Sequence, residues 1–196
     1  MPRFLDARRA GLRRRYAEPH RTYHGQSHID AMLLGLHGLG AAIADPAAVE
    51  LAIWYHDAIY NPAAQDNEVR SAALLRQEMA GLADPALLDA AEMMVRLTAG
   101  HALPAELSGP RRGDAALFLD LDLAVLGAPP GAYAAYERGI AAEYLPVHGA
   151  AAYQAGRAAF LRGMLDRPRL FHTDRFHAAL DAQARTNLRG ALDAAA

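Results

Sequence analysis

Apolar residues recur every third or fourth position in one segment of this chain after another, and strand-type alternation is convincing nowhere. That periodicity predicts helices and little else. "SHIDAMLLGLHGLG" carries Ile29, Met32, Leu33 and Leu36 on one stripe, with Ser27 as a candidate cap and Gly38 or Gly40 as a stop. "DPAAVELAIWYHDAIYNP" opens with Asp45 as cap and Pro46 in the first turn, and closes before Asn61-Pro62. "DNEVRSAALLRQEMAG" sets Val69, Ala72, Leu75 and Met79 inward, and "DPALLDAAEMMVRLTAG" repeats the Asp-Pro opening at Asp84-Pro85. A polar loop, "LPAELSGPRRG", interrupts the helices before "DAALFLDLDLAVLG" resumes them. Further on, Tyr133, Tyr136, Ile140 and Tyr144 share a face, and Phe176, Leu180, Ala184, Leu188 and Leu192 recur every fourth residue. The expected fold is all-α, a single-domain bundle of eight or nine helices over residues 1–196.

Composition narrows the function classes. With 53% hydrophobic and 21% charged residues the chain reads as globular, and a formal net charge of -2 gives no general attraction to nucleic acid or anionic membrane. Cysteine is absent, which removes disulfides and thiolate metal sites. No uncharged run reaches the roughly 18 residues needed to span a bilayer, and "MPRFLDARRAGLRRRY" has no apolar leader core, so a cytoplasmic location is expected. The cluster Arg8, Arg9, Arg13, Arg14 and Arg15 reads as a solvated helix face rather than a nucleic-acid patch.

The chemistry starts at "LAIWYHDAIYNP", where His56 and Asp57 sit side by side in the most apolar segment. A helix that is apolar on every side is buried, and a buried ionised carboxylate costs several kcal/mol unless it is paired or bound to a cation. Adjacent helical residues point about 100° apart, too far round for a simple side-chain pair, yet both can reach one ion lying between them. Further ligands should lie on other apolar helices. His28, at the start of "SHIDAMLL", and Asp122, in "FLDLDLAVLG", meet that condition. Two imidazoles and two carboxylates suit Mn, Fe, Co, Ni or Zn, and admit Mg less readily.

The order His28 … His56-Asp57 … Asp122 resembles the HD superfamily of metal-dependent phosphohydrolases. "EPHRTYHGQSHI", "WYHDAIYNPAAQDNEVRSA", "LTAGH", "FLDLDLAVLG", "YAAYERGIAAEY" and "ARTNLRGAL" together look like one bacterial branch of it, over Tyr16 to Leu192. The resemblance implies an HD-domain helical fold with a metal-site core at roughly residues 20–127, C-terminal helices over 131–194 packing on it, and hydrolysis of a phosphate ester. It places His28, His56, Asp57 and Asp122 at the metal positions. The resemblance also favours Asp122 over Asp120, because the superfamily's last aspartate typically follows a small or apolar residue and precedes a leucine-bearing turn, as in "LDLAVL"; Asp120 would face roughly the opposite side of the helix. The chain departs from binuclear members, since only His101 lies between the HD pair and Asp122. One divalent ion is therefore expected, and a second, on His101 and His24, is the lesser expectation.

In the expected reaction, Asp57 binds the ion and orients the water, Glu68 or His101 moves the proton, and Arg21, His24 and Arg70 grip the phosphate. Each has a plainer reading: His101 as a helix C-terminal cation, Glu68 as an early-turn carboxylate, Arg70 as an exposed helix residue. The substrate would be a small phosphorylated compound, nucleotides included, with no membrane or nucleic-acid partner. The tyrosine-rich and Leu188-bearing helices offer faces for a homodimer. Two other functions compete: an HD-fold di-iron oxygenase, which needs about six ligands, and a non-catalytic module that senses a nucleotide.

Overall fold

The computed structural model describes residues 6–194, with side chains from residue 8 onward; the first five residues of the segment read for a leader lie outside that range. Nine α-helices occur among the described residues, with no strand: α1 (Asp6–Tyr16), α2 (Gln26–Leu39), α3 (Pro46–Tyr55), α4 (Asn67–Met79), α5 (Pro85–Leu97), α6 (Gly109–Leu123), α7 (Pro130–His148), α8 (Ala150–Leu165) and α9 (Asp174–Ala194). The all-α expectation holds. No single helix among them is long and apolar enough to cross a membrane. The chain divides into two compact units, Met1–Leu121 and Asp122–Ala196, and the division falls inside α6.

The first unit is built around α3. Every residue from Ala48 to Tyr55 is buried, as an all-round apolar sequence requires, and α2, α4 and α5 pack against it. Trp54 is 2% exposed, with the Arg9 guanidinium 5.7 Å from its ring centroid. Asp45 caps α3 by accepting from the Ala48 amide, and Asp84 caps α5 by accepting from the Ala86 amide. Both caps follow the Asp-Pro signature. Asp114 is buried near the start of α6, and its two oxygens accept the Ala44 and Asp45 amides, each at 2.8 Å. That bidentate contact fastens α6 to the start of α3.

Three local expectations are corrected. Ser27 is not the cap of α2; Gly25 is, where an added Cβ would stand 3.2 Å from the Tyr16 carbonyl. Val69 is 52% exposed, whereas Ala72, Leu75 and Met79 are fully inside, so α4 buries a stripe that begins one turn later. The helix expected to run to Asn61 stops at Tyr55. Residues 56–59 leave it as turns, because side chains take over their backbone groups. The Arg21 guanidinium donates to the Asp57 and Ala58 carbonyls, and the Ser71 hydroxyl bonds both the amide and the carbonyl of Ile59.

The second unit holds α9 against a short 3-10 turn, Ala124–Gly127, and against α8. Asn187 on α9 is buried and donates to the carbonyls of Leu126 and Ala128, 2.8 Å each. This accounts structurally for the asparagine in "ARTNLRGAL". The α8–α9 connection is closed by a second knot. Asp181 accepts the Leu170 amide at 3.0 Å and the Arg185 Nε–H at 2.7 Å, and Arg185 donates onward to the carbonyls of Leu165, Arg167 and Pro168. Burial by itself would raise the Asp181 pKa, but the Leu170 amide and the Arg185 guanidinium outweigh it and hold the carboxyl below its ordinary value. A depressed folded-state pKa contributes stability above the unfolded value, about 3.9, which is lost as pH falls through the folded value. Urea unfolding of Asp181→Asn between pH 3 and 6 should therefore show a shallower acid decline than the parent. At pH 7 the variant should be about 1–3 kcal/mol less stable.

Candidate metal centre

His28 sits in the first turn of α2, behind the loop Ala17–Gly25; His56 is the C-cap of α3. Both are buried, His28 at 7% and His56 at 1% exposure. Their Nε2 atoms face each other at 3.2 Å. The outer nitrogen of each ring is engaged. His56 Nδ1 lies 2.9 Å from the Ile53 carbonyl, which only accepts, so Nδ1 carries the proton and the neutral ring's lone pair is on Nε2. His28 Nδ1 is 3.3 Å from the Tyr23 hydroxyl, which can take either role. The edge of the Phe118 ring, on α6, lies against His56 with centroids 6.0 Å apart.

The third member is Asp122. It lies on α6, the helix that runs from the first unit across the division, and a carboxylate oxygen of it and one nitrogen from each histidine all lie within 4.8 Å of one another. His28, His56 and Asp122 thus form a cluster that can hold a metal ion. Neither His24 nor His101 belongs to such a group among the described residues. Asp120, two positions earlier, is fully buried and is not a member.

Asp57, the fourth expected ligand, is not one of the three but adjoins them: its Oδ2 is 3.1 Å from His56 Nε2. Because α3 has already ended, the two neighbouring side chains meet directly, contrary to the expectation for adjacent positions within a helix. Burial would raise the Asp57 pKa; the imidazole of His56, and beyond it those of His24 and His28, reverse this and hold the carboxyl well below the usual carboxylate range. His56 Nε2 is faced by a second imidazole nitrogen and by a carboxylate oxygen, and the carboxylate is held ionised where positive charge sits at that nitrogen, as a proton or as a bound cation. Acceptors converging in this way need a positive centre between them, a shared proton or a metal cation.

The other predicted residues have different surroundings. Arg21 has a side chain with no exposed surface and makes four hydrogen bonds inside the protein, so it faces no solvent from which to grip a phosphate. His24 is half-buried and its ring stacks on Tyr60 with centroids 4.4 Å apart. Arg70 is exposed on α4, and its Nη1 lies 3.9 Å from the Asp66 carboxylate. Glu68 is half-buried in the first turn of α4, where a carboxylate complements the helix dipole. His101 has a left-handed backbone, φ 47°, and its amide closes on the Leu97 carbonyl at 2.8 Å. Its backbone forms the C-terminal turn of α5.

Sequence reasoning missed the part of Tyr23, which meets the outer nitrogen of His28. Its only signal was its place in the polar run "PHRTYHGQSH". It also missed Tyr136, on α7, whose phenol pKa is pushed up to about 12 by burial, against the Arg157 guanidinium and with lesser help from the carboxylates of Glu137 and Asp122. In comparison with known proteins, no family model, no curated protein and no solved structure matches the chain.

Proposed function

We propose that the chain is a metal-dependent phosphohydrolase of the HD type, acting on a small phosphorylated compound, a nucleotide among the candidates. The observation that carries this reading is the pair of buried imidazoles whose Nε2 atoms face each other at 3.2 Å beside Asp122 and Asp57. Nitrogen and oxygen donors in that mixture fit one divalent ion of the Mn, Fe, Co, Ni or Zn group. Such an ion polarises a phosphoryl oxygen and lowers the pKa of water.

Around it the chain supplies the rest. The carboxylate of Asp57, held ionised beside His56, orients the attacking water. His24 and the exposed Arg70 are the nearest candidates, by sequence, to meet the phosphate charge, and Arg21 serves the backbone instead. Glu68 is the group proposed to move the proton, with His101 as its competitor.

The test uses the purified chain with p-nitrophenyl phosphate and a panel of nucleotides and sugar phosphates. Turnover should appear with Mn or Co, stop with a chelator and return on adding metal. A chain that binds metal stoichiometrically, is stabilised by a nucleotide and turns over none of these compounds would overturn the hydrolase reading in favour of a sensing module.

A further inference from the structure

We infer that Arg21 is the positioning residue of the metal centre, a fastener that sets the spacing between its two histidine-bearing segments; this rests on the metal reading above. Its guanidinium joins two pieces of backbone. Nη1 donates to the carbonyl of His24, in the loop that leads into α2 and His28, at 3.1 Å. The same Nη1 donates to the carbonyl of Asp57 at 2.6 Å, and Nη2 donates to that of Ala58 at 3.2 Å. Those two carbonyls lie just past the end of α3, directly after His56, outside the ladder of helical hydrogen bonds.

The fastener is itself held. Nε donates to Glu18 at 3.0 Å, and the guanidinium carbon lies 5.2 Å from the Tyr16 ring centroid and 5.3 Å from that of Tyr60. Tyr16 in turn donates to the Trp54 carbonyl of α3, and His24 stacks on the Tyr60 ring. A planar fork can serve three carbonyls and a carboxylate at once, which an ammonium on a flexible stem cannot do in the same geometry. Ligand atoms must sit within about 0.2 Å of their places to bind an ion well. Loosening this joint should therefore appear as lost metal affinity, beyond any general loss of stability.

Cobalt(II) titration of the metal-free chain, followed by its visible absorption and by calorimetry, tests this. His56→Ala should abolish binding. Arg21→Lys should bind cobalt about 10–100-fold more weakly than the parent, the usual cost of losing a residue behind the ligands. Arg185→Lys is the control: it breaks a similar guanidinium-to-carbonyl knot in the second unit and should lower the melting temperature while leaving cobalt affinity unchanged. Parental affinity in Arg21→Lys, or an equal loss in Arg185→Lys, overturns the inference and leaves the metal centre standing. Failure of the parent to bind cobalt, manganese or zinc overturns both. Should Arg21→Lys not fold, Glu18→Gln, which loses the carboxylate that orients Nε, should show a smaller loss of affinity, and an unchanged affinity there overturns the inference.

Discussion

Replacing His56 with alanine should leave a folded protein that no longer responds to divalent metal. The parent, at a free metal concentration about 100 times its Kd, should gain about 2.7 kcal/mol from binding, roughly 5–10 °C in Tm for a chain of this length. The variant should gain nothing, and should carry no metal when analysed by mass spectrometry after purification. Its loss should exceed the roughly 10–100-fold cost of removing a residue behind the ligands, because His56 Nε2 is the atom on which the His28 nitrogen and the Asp57 oxygen converge. In chelator the variant should be about 2–4 kcal/mol less stable than the parent, because it loses the Nδ1 bond to the Ile53 carbonyl and leaves a cavity beside Phe118. Equal metal-induced shifts in parent and variant would remove the centre from this place in the fold.

Gly127→Ala should be strongly destabilising. An added Cβ there would stand 2.6 Å from Leu180 Cβ, 2.9 Å from the Leu180 carbonyl oxygen and 3.2 Å from Leu180 Cα. Two of these atoms are backbone of α9, so the obstacle cannot rotate away. Forcing the 3-10 turn off α9 would also stretch the two bonds from Asn187 to Leu126 and Ala128. Overpacking and the weakened bonds together should cost about 3 kcal/mol. Gly35→Ala is the comparison. There the new methyl meets only the Cδ2 and Cγ of Leu121, which can change rotamer, and alanine gains about 1 kcal/mol of helix propensity. Its stability should stay within about 1 kcal/mol of the parent. Similar urea midpoints for both variants would show that the turn and α9 are less tightly packed than these distances require.

The sequence could be read wherever one segment decides its own structure. The Asp-Pro pairs marked the starts of α3 and α5, because a capping carboxylate and a proline act within one turn. The all-round apolar character of α3 announced its burial, and the same character made an adjacent histidine and aspartate conspicuous enough to suggest an ion. The choice of Asp122 over Asp120 rests on the family resemblance; helix geometry adds only that two residues turn about 200°, so the two cannot face one centre. What could not be read depends on distant partners. The end of α3 at Tyr55 is set by Arg21 and Ser71, which lie 36 and 12 residues away from the groups they bond. Arg21 itself looked like a phosphate ligand because a free arginine in a histidine-rich loop usually faces outward; only the fold shows two tyrosine rings on it and three carbonyls in front of it. Val69 followed the apolar period of α4 yet is exposed, because the buried face of this helix begins only at Ser71 and Ala72.

The chain has one tryptophan, and it lies buried in the last turn of α3. Its emission is therefore a private signal of the first unit, whereas far-ultraviolet ellipticity sums the helices of both. Recorded on the same denaturant series, the two optical traces would superimpose if the halves let go together and would separate if one outlasts the other. No label or engineered probe is needed to learn which.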